Sequence, residues 1–121
     1  MSILRTSYLL YGFKLDKEKE INSISDHYED LIIDDPYSKI FDNSESDQIL
    51  VYDGMCQNYA YVGLKLASVD EYEEEPYVSI SAEDVLNLKN KLEEKMKSWP
   101  NYLIDMVNGY EPRLYMFMHT Y

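Results

Sequence analysis

An α+β domain of the ferredoxin-like type is predicted by three features of the chain. Its apolar segments follow the order β-α-β-β-α-β, two of them repeat at helical spacing, and 121 residues leave room for one core. The domain is read as a single unit over 1–121, a four-stranded sheet containing antiparallel pairs. Right-handed crossovers put two helices on one face of it. The first and third strands are expected at its centre, the second and fourth at its edges.

The first strand is Ile3 to Leu15, rich in aliphatic and aromatic residues, free of Pro, with Gly12 near its end. Asp16 is placed to cap a following helix, in which Ile21, Ile24, Tyr28 and Leu31 recur on one face. Asp34-Asp35-Pro36 stops that helix, and the turn-rich 42–47 leads to a short strand at 48–53. Its return strand spans 59–69, with Ala60, Val62, Leu64 and Leu66 on one face and Tyr59, Tyr61, Gly63 and Lys65 on the other. Ser81 and Asp84 form a near capping box for a second helix, whose stripe is Val85, Leu88, Leu92, Met96 and Trp99. Pro100 ends it, a short helical turn and a Gly-bearing loop follow, and Arg113 to Tyr121 is the last strand. The rival architecture adds a strand at 77–80.

Chemistry is sparse. His27 and His119 belong to no nucleophile motif, and each reads as a surface or strand histidine. Cys56 has Asp53 as its nearest charge, which disfavours a thiolate, so an inert thiol is expected. The lone Cys also rules out an internal disulfide and suits a reducing compartment. Glu73-Glu74-Glu75 suits water better than the apolar pocket that a general acid needs. Four Gly and no phosphate-binding motif leave no nucleotide loop. Asp42, Ser44, Ser46, Gln48 and Asp53 match the offsets of a Ca²⁺ loop, but Asp47 occupies the position that requires Gly. No enzyme activity, cofactor or metal is therefore expected. No apolar stretch approaches the ~20 residues of a membrane span, and the first residues do not have a signal-peptide layout.

Charge is the strongest signal. The formal charge is −12, beyond the magnitude of about 2–8 that serves solubility. It is concentrated: Asp70 to Asp84 contains seven acidic residues and no basic one, and Lys39 is the sole base between Glu29 and Asp53. Such a chain repels phosphates, so direct nucleic-acid binding is excluded. An extended peptide rises ~3.3 Å per residue, close to the ~3.4 Å phosphate spacing of one DNA strand. Asp70, Glu71, Glu73, Glu74 and Glu75 can therefore imitate a phosphate row, with Tyr72 as an anchor. Asp34, Asp35, Asp42, Glu45 and Asp47 supply a second row. The expected partner is the basic surface of a nucleic-acid-binding protein. The competing view is that these acids are merely solvated.

Two further readings stay open. Thirteen Tyr residues, among them Tyr8, Tyr11, Tyr52, Tyr59, Tyr61 and Tyr115 in strands, allow a ligand-binding sheet face or dimer cleft that stacks on nucleotide bases. Arg5, Lys14, Lys65 and Arg113 are the few bases that could meet phosphates there. A homodimer built through an edge strand or the Tyr face is the other reading.

Tyr11-Gly12-Phe13, Val51-Tyr52-Asp53-Gly54-Met55-Cys56 and Tyr59-Ala60-Tyr61-Val62-Gly63 resemble segments of small acidic proteins encoded by tailed bacteriophages. The similarity covers about a quarter of the chain and carries no catalytic residues. It implies a host-cell cytoplasmic setting and an inhibitor of a host defence protein, such as a CRISPR or other nuclease, acting by DNA mimicry.

Overall fold

Runs rich in aliphatic and aromatic residues build four strands among the described residues, β1 (Arg5–Leu15), β2 (Gln48–Tyr52), β3 (Ala60–Asp70) and β4 (Arg113–Thr120). The computed structural model describes residues 5–32, 41, 47–53, 58–72 and 79–120, and only the backbone of 28–30, 32 and 120. The strands form one antiparallel sheet in the order β2-β3-β1-β4, so β1 and β3 are central. The architecture is α+β, and the described residues contain four helices: α1 (Glu18–Ile32), α2 (Ala82–Leu86), α3 (Leu88–Met96) and α4 (Asn101–Val107).

Two helices were expected, and two local causes give four. The expected second helix breaks at Asn87, where φ −112° and ψ 20° leave the helical region. Ser81 and Asp84 do form a full capping box, which starts α2. The break rotates the stripe, so Leu88, Leu92 and Trp99 are buried while Val85 faces solvent. The stretch after Pro100, expected as one turn, is α4, which buries Leu103 and Val107. The first turn of α1 is closed by Glu20, not Asp16: its carboxylate accepts from the Lys17 N–H at 3.2 Å. Ser79 and Ile80 carry no strand; the rest of the alternative strand lies outside the described residues.

Helices α1, α3 and α4 pack on one side of the sheet, while α2 buries no side chain. Ile21, Ile24 and Leu31 of α1 meet Leu88, Leu92, Leu103 and Val107 over Phe13, Leu15, Leu50, Ala60, Val62 and Leu64. Trp99 is the hub: its ring contacts Phe13 and Phe41, and its indole N–H donates to Gln48 Oε1 at 2.8 Å. That bond satisfies a polar group that would otherwise be buried at a cost.

The other side of the sheet is not a flat, open face. Tyr61 pairs with Lys14 on β1 and Phe117 pairs with Tyr8, six residues further along. An extended strand puts those positions about 20 Å apart. Yet the two rings stack at 3.8 Å with an interplanar angle of 6°. Likewise the Tyr59 hydroxyl lies 3.0 Å from His119 Nδ1, although Ala60, next to Tyr59, pairs with Leu15 while His119 pairs with Thr6, nine residues or about 30 Å further along β1. The sheet must therefore fold over on itself between these pairs. Between those positions on β1 lie Gly12, which faces Gly63, and the register shift at Leu9/Leu10, the two features there that favour a bend. A Cβ on Gly63 would meet the Tyr11 carbonyl and lie 2.7 Å from the Gly12 Cα, so neither position tolerates a side chain.

Folding over encloses a second core. Tyr8, Leu10, Ile49, Val51 and Tyr61 are buried there, with Tyr59, Tyr115 and Phe117 packed against them. The Tyr-rich face that the ligand-binding alternative would need open is thus largely spent on packing. The sheet stays unclosed, because β2 and β4 remain its two edges.

Candidate functional site

Four of the eleven residues expected to meet a partner fall within the described residues: Asp47, Asp70, Glu71 and Tyr72. Asp34, Asp35, Asp42, Glu45, Glu73, Glu74 and Glu75 lie outside them.

Asp47 precedes β2, its carbonyl accepting from the Lys65 N–H at 2.7 Å. Its carboxylate turns to the helix layer, 3.3 Å from Lys91 Nζ and 3.5 Å from Lys95 Nζ. Burial works to raise its pKa, but the hydrogen bonds and charges of the two lysines together outweigh burial and hold it below the usual carboxylate range. Asp47 therefore presents a neutralised cluster instead of a bare anion. Those lysines stand one turn apart on α3.

Asp70 ends β3 on the other side of the sheet. Thr6 Oγ1–H donates to Asp70 Oδ1 at 2.7 Å, in a cross-strand row that continues to His119. The next residue is tied as well, since the Glu71 N–H donates to the Arg5 carbonyl at 2.9 Å. Immediately beyond, the Glu71 side chain is exposed and Tyr72 is 70 % exposed. The acidic run thus starts from a fixed anchor at the end of a central strand. Asp47 and Asp70 do not share a face.

His119 was expected to be an ordinary strand histidine, and it is a buried one. Burial pushes its pKa below the ordinary 6.5, and the charge of Asp53 opposes that shift. The folded state thus holds the ring neutral more strongly than the unfolded chain does. The unfolded state binds the extra proton as pH falls through about 6.5, so stability is lost over that window and levels off below the lower folded pKa. Between about pH 7.5 and 5.5 the wild-type melting temperature is expected to fall more than that of His119→Gln. Thermal denaturation at stepped pH checks this; equal slopes would contradict it.

His27 of α1 stacks on Tyr102 of α4 at 3.9 Å, joining the two helices, and its Nδ1 lies 2.9 Å from the Ser23 carbonyl one turn back in α1. Tyr110 O–H donates to Glu20 Oε2 at 2.8 Å, and Lys17 Nζ sits over the Tyr110 ring at 5.4 Å. Sequence reading missed this tie between α1 and the loop after α4; Tyr110 beside Gly109 gave no periodic signal. A cleft beside α3 and α4 has an apolar floor of Phe13, Leu92, Met96, Ile104 and Val107 and a polar rim that includes Lys89, Glu93, Asn108 and Tyr110. No family model, curated protein or solved structure matches this chain. Among the described residues no group of three metal-ligating side chains occurs, and no helix is long and apolar enough to cross a membrane. Cys56 and, of the Ca²⁺-loop positions, Asp42, Ser44 and Ser46 lie outside the described residues.

Proposed function

We propose that this chain is a non-enzymatic interaction module of the ferredoxin-like type. It would occupy a basic, nucleic-acid-binding surface on a host protein, such as a defence nuclease, and compete there with nucleic acid. The strand order, with β1 and β3 central, supports the fold reading. The observation that carries the function is the exposure of Glu71 and Tyr72 where β3 ends, directly before Glu73, Glu74 and Glu75. Thr6 and Arg5 hold the root of this segment, so the ordering cost of presenting it is partly met before a partner arrives. A large exposed aromatic ring among anions matches a partner rich in Lys and Arg, through charge steering and cation–π contact.

The ligand-binding reading has less support, since Tyr8 and Tyr61 stack within their own core. The inhibitor reading is tested on a captured nuclease or other nucleic-acid-binding target. Replacing Glu73, Glu74 and Glu75 with Lys is expected to weaken binding about 100-fold at low salt, while the wild-type complex weakens steadily as salt rises. Inhibition that survives both treatments would overturn it.

A further inference from the structure

Among the described residues the helix layer covers the half of the sheet built on β2 and leaves bare the half built on β4, where Ser7, Leu9, Ala67 and Val69 are half-buried and the β4 side chains of that face are exposed. Register aligns the bare half in rows across three strands: Ala67, Leu9 and Met116; Val69, Ser7 and Met118; with Leu114 beside Tyr11. No side chain in these rows is charged. Leu114, Met116 and Met118 are 52 %, 84 % and 59 % exposed, on a strand that ends the sheet. Edge strands are normally blunted by Pro, charge or a covering segment. Between Leu114 and Thr120, β4 contains no Pro, Asp, Glu, Lys or Arg.

We propose that this face is the contact between two copies of the chain, joined by antiparallel pairing of β4 with β4 of the partner subunit. Charge selects that occupant. Two copies at −12 each repel one another over most of their surface, but Arg113 to Tyr121 contains no acidic residue. A basic partner has no anion to meet on β4, whereas a neutral apolar strand does find its match, and a second β4 is one. The sequence is also self-complementary about a two-fold axis at Met116. Leu114 then stands opposite Met118 of the partner subunit, and Met116 opposite Met116 of the partner subunit. The row Ala67–Leu9–Met116 runs on into its own copy, giving one eight-stranded sheet and satisfying the outer edge of β4.

This interface and the acidic segment respond oppositely to salt, so the two proposals fail separately. Salt screens the repulsion between copies and is expected to tighten the dimer, while it loosens a charge-steered complex. Sedimentation equilibrium of the full chain over a concentration series is the test. A dimer is expected, strengthened by added salt. Met116→Lys is expected to raise its dissociation constant at least about tenfold with unchanged circular dichroism, and Met118→Lys likewise. Leu86→Lys, at another exposed apolar position, is expected to leave it intact. A monomer throughout, including one that a different protein covers at β4, overturns the proposal. So does a dimer that ignores both Met variants or dissociates in salt.

Discussion

Gly63→Ala is expected to cost more than about 3 kcal/mol, a large share of the roughly 5–15 kcal/mol that holds a domain folded. The added Cβ would run into the Tyr11 carbonyl and sit 2.7 Å from the Gly12 Cα. Both atoms are backbone in the central β1–β3 ladder, so no side-chain rotation relieves the clash. Gly12→Ala is equivalent, because its Cβ would meet the Val62 carbonyl and the Gly63 Cα. Gly109 supplies the contrast. It has φ +93°, but nothing lies near the Cβ position, so Gly109→Ala is expected to cost only about 1 kcal/mol of backbone strain. Urea denaturation of the three variants checks the series. A Gly63→Ala protein as stable as Gly109→Ala would mean that the sheet does not bend at the glycine pair.

Tyr61→Ala is expected to be nearly as damaging, at about 3–5 kcal/mol. Tyr61 is the centre of the second core: it stacks on Phe117, meets Tyr59 and Tyr115 edge-on or tilted, and takes Lys14 Nζ over its face at 5.9 Å. Truncation removes the ring that joins the two halves of the folded sheet. A double-mutant cycle with Phe117→Ala isolates the contact, and a coupling of about 0.5–1.5 kcal/mol is expected for a stacked pair. No coupling would mean that β3 and β4 do not meet across the bend. The near-ultraviolet dichroism of the stacked rings should fade in either single variant.

These two predictions rest on the feature least legible in the sequence. Strand and helix positions followed from period: Ala60, Val62 and Leu64 do share the helix-side face, and Ile21, Ile24 and Leu31 are the buried stripe of α1. Gly12 and Gly63 were visible as glycines inside apolar strands, a pattern that marks close backbone approach. Their pairing with each other depends on register between segments fifty residues apart, which no local pattern encodes. The same limit hid the role of Asp47. Its charge was plain, but its neutralisation by Lys91 and Lys95 comes from β2 and α3 meeting in space. Val85 failed for a local reason, since one residue out of helical geometry at Asn87 was enough to turn it outward. The acidic run after β3 was legible as composition; its fixed root at Thr6 and Arg5 was not, because both bonds bridge more than sixty residues.

The central functional claim is that the negative segment beginning at Asp70 stands in for nucleic acid on a basic protein surface. Displacement by duplex DNA tests it most directly: the chain is bound to its captured target, and DNA is titrated in at constant ionic strength. DNA is expected to release the wild-type chain in competition, and the Glu73, Glu74 and Glu75 to Lys variant should not bind well enough to need releasing. A complex that DNA leaves untouched, formed equally well by that variant, would contradict the account.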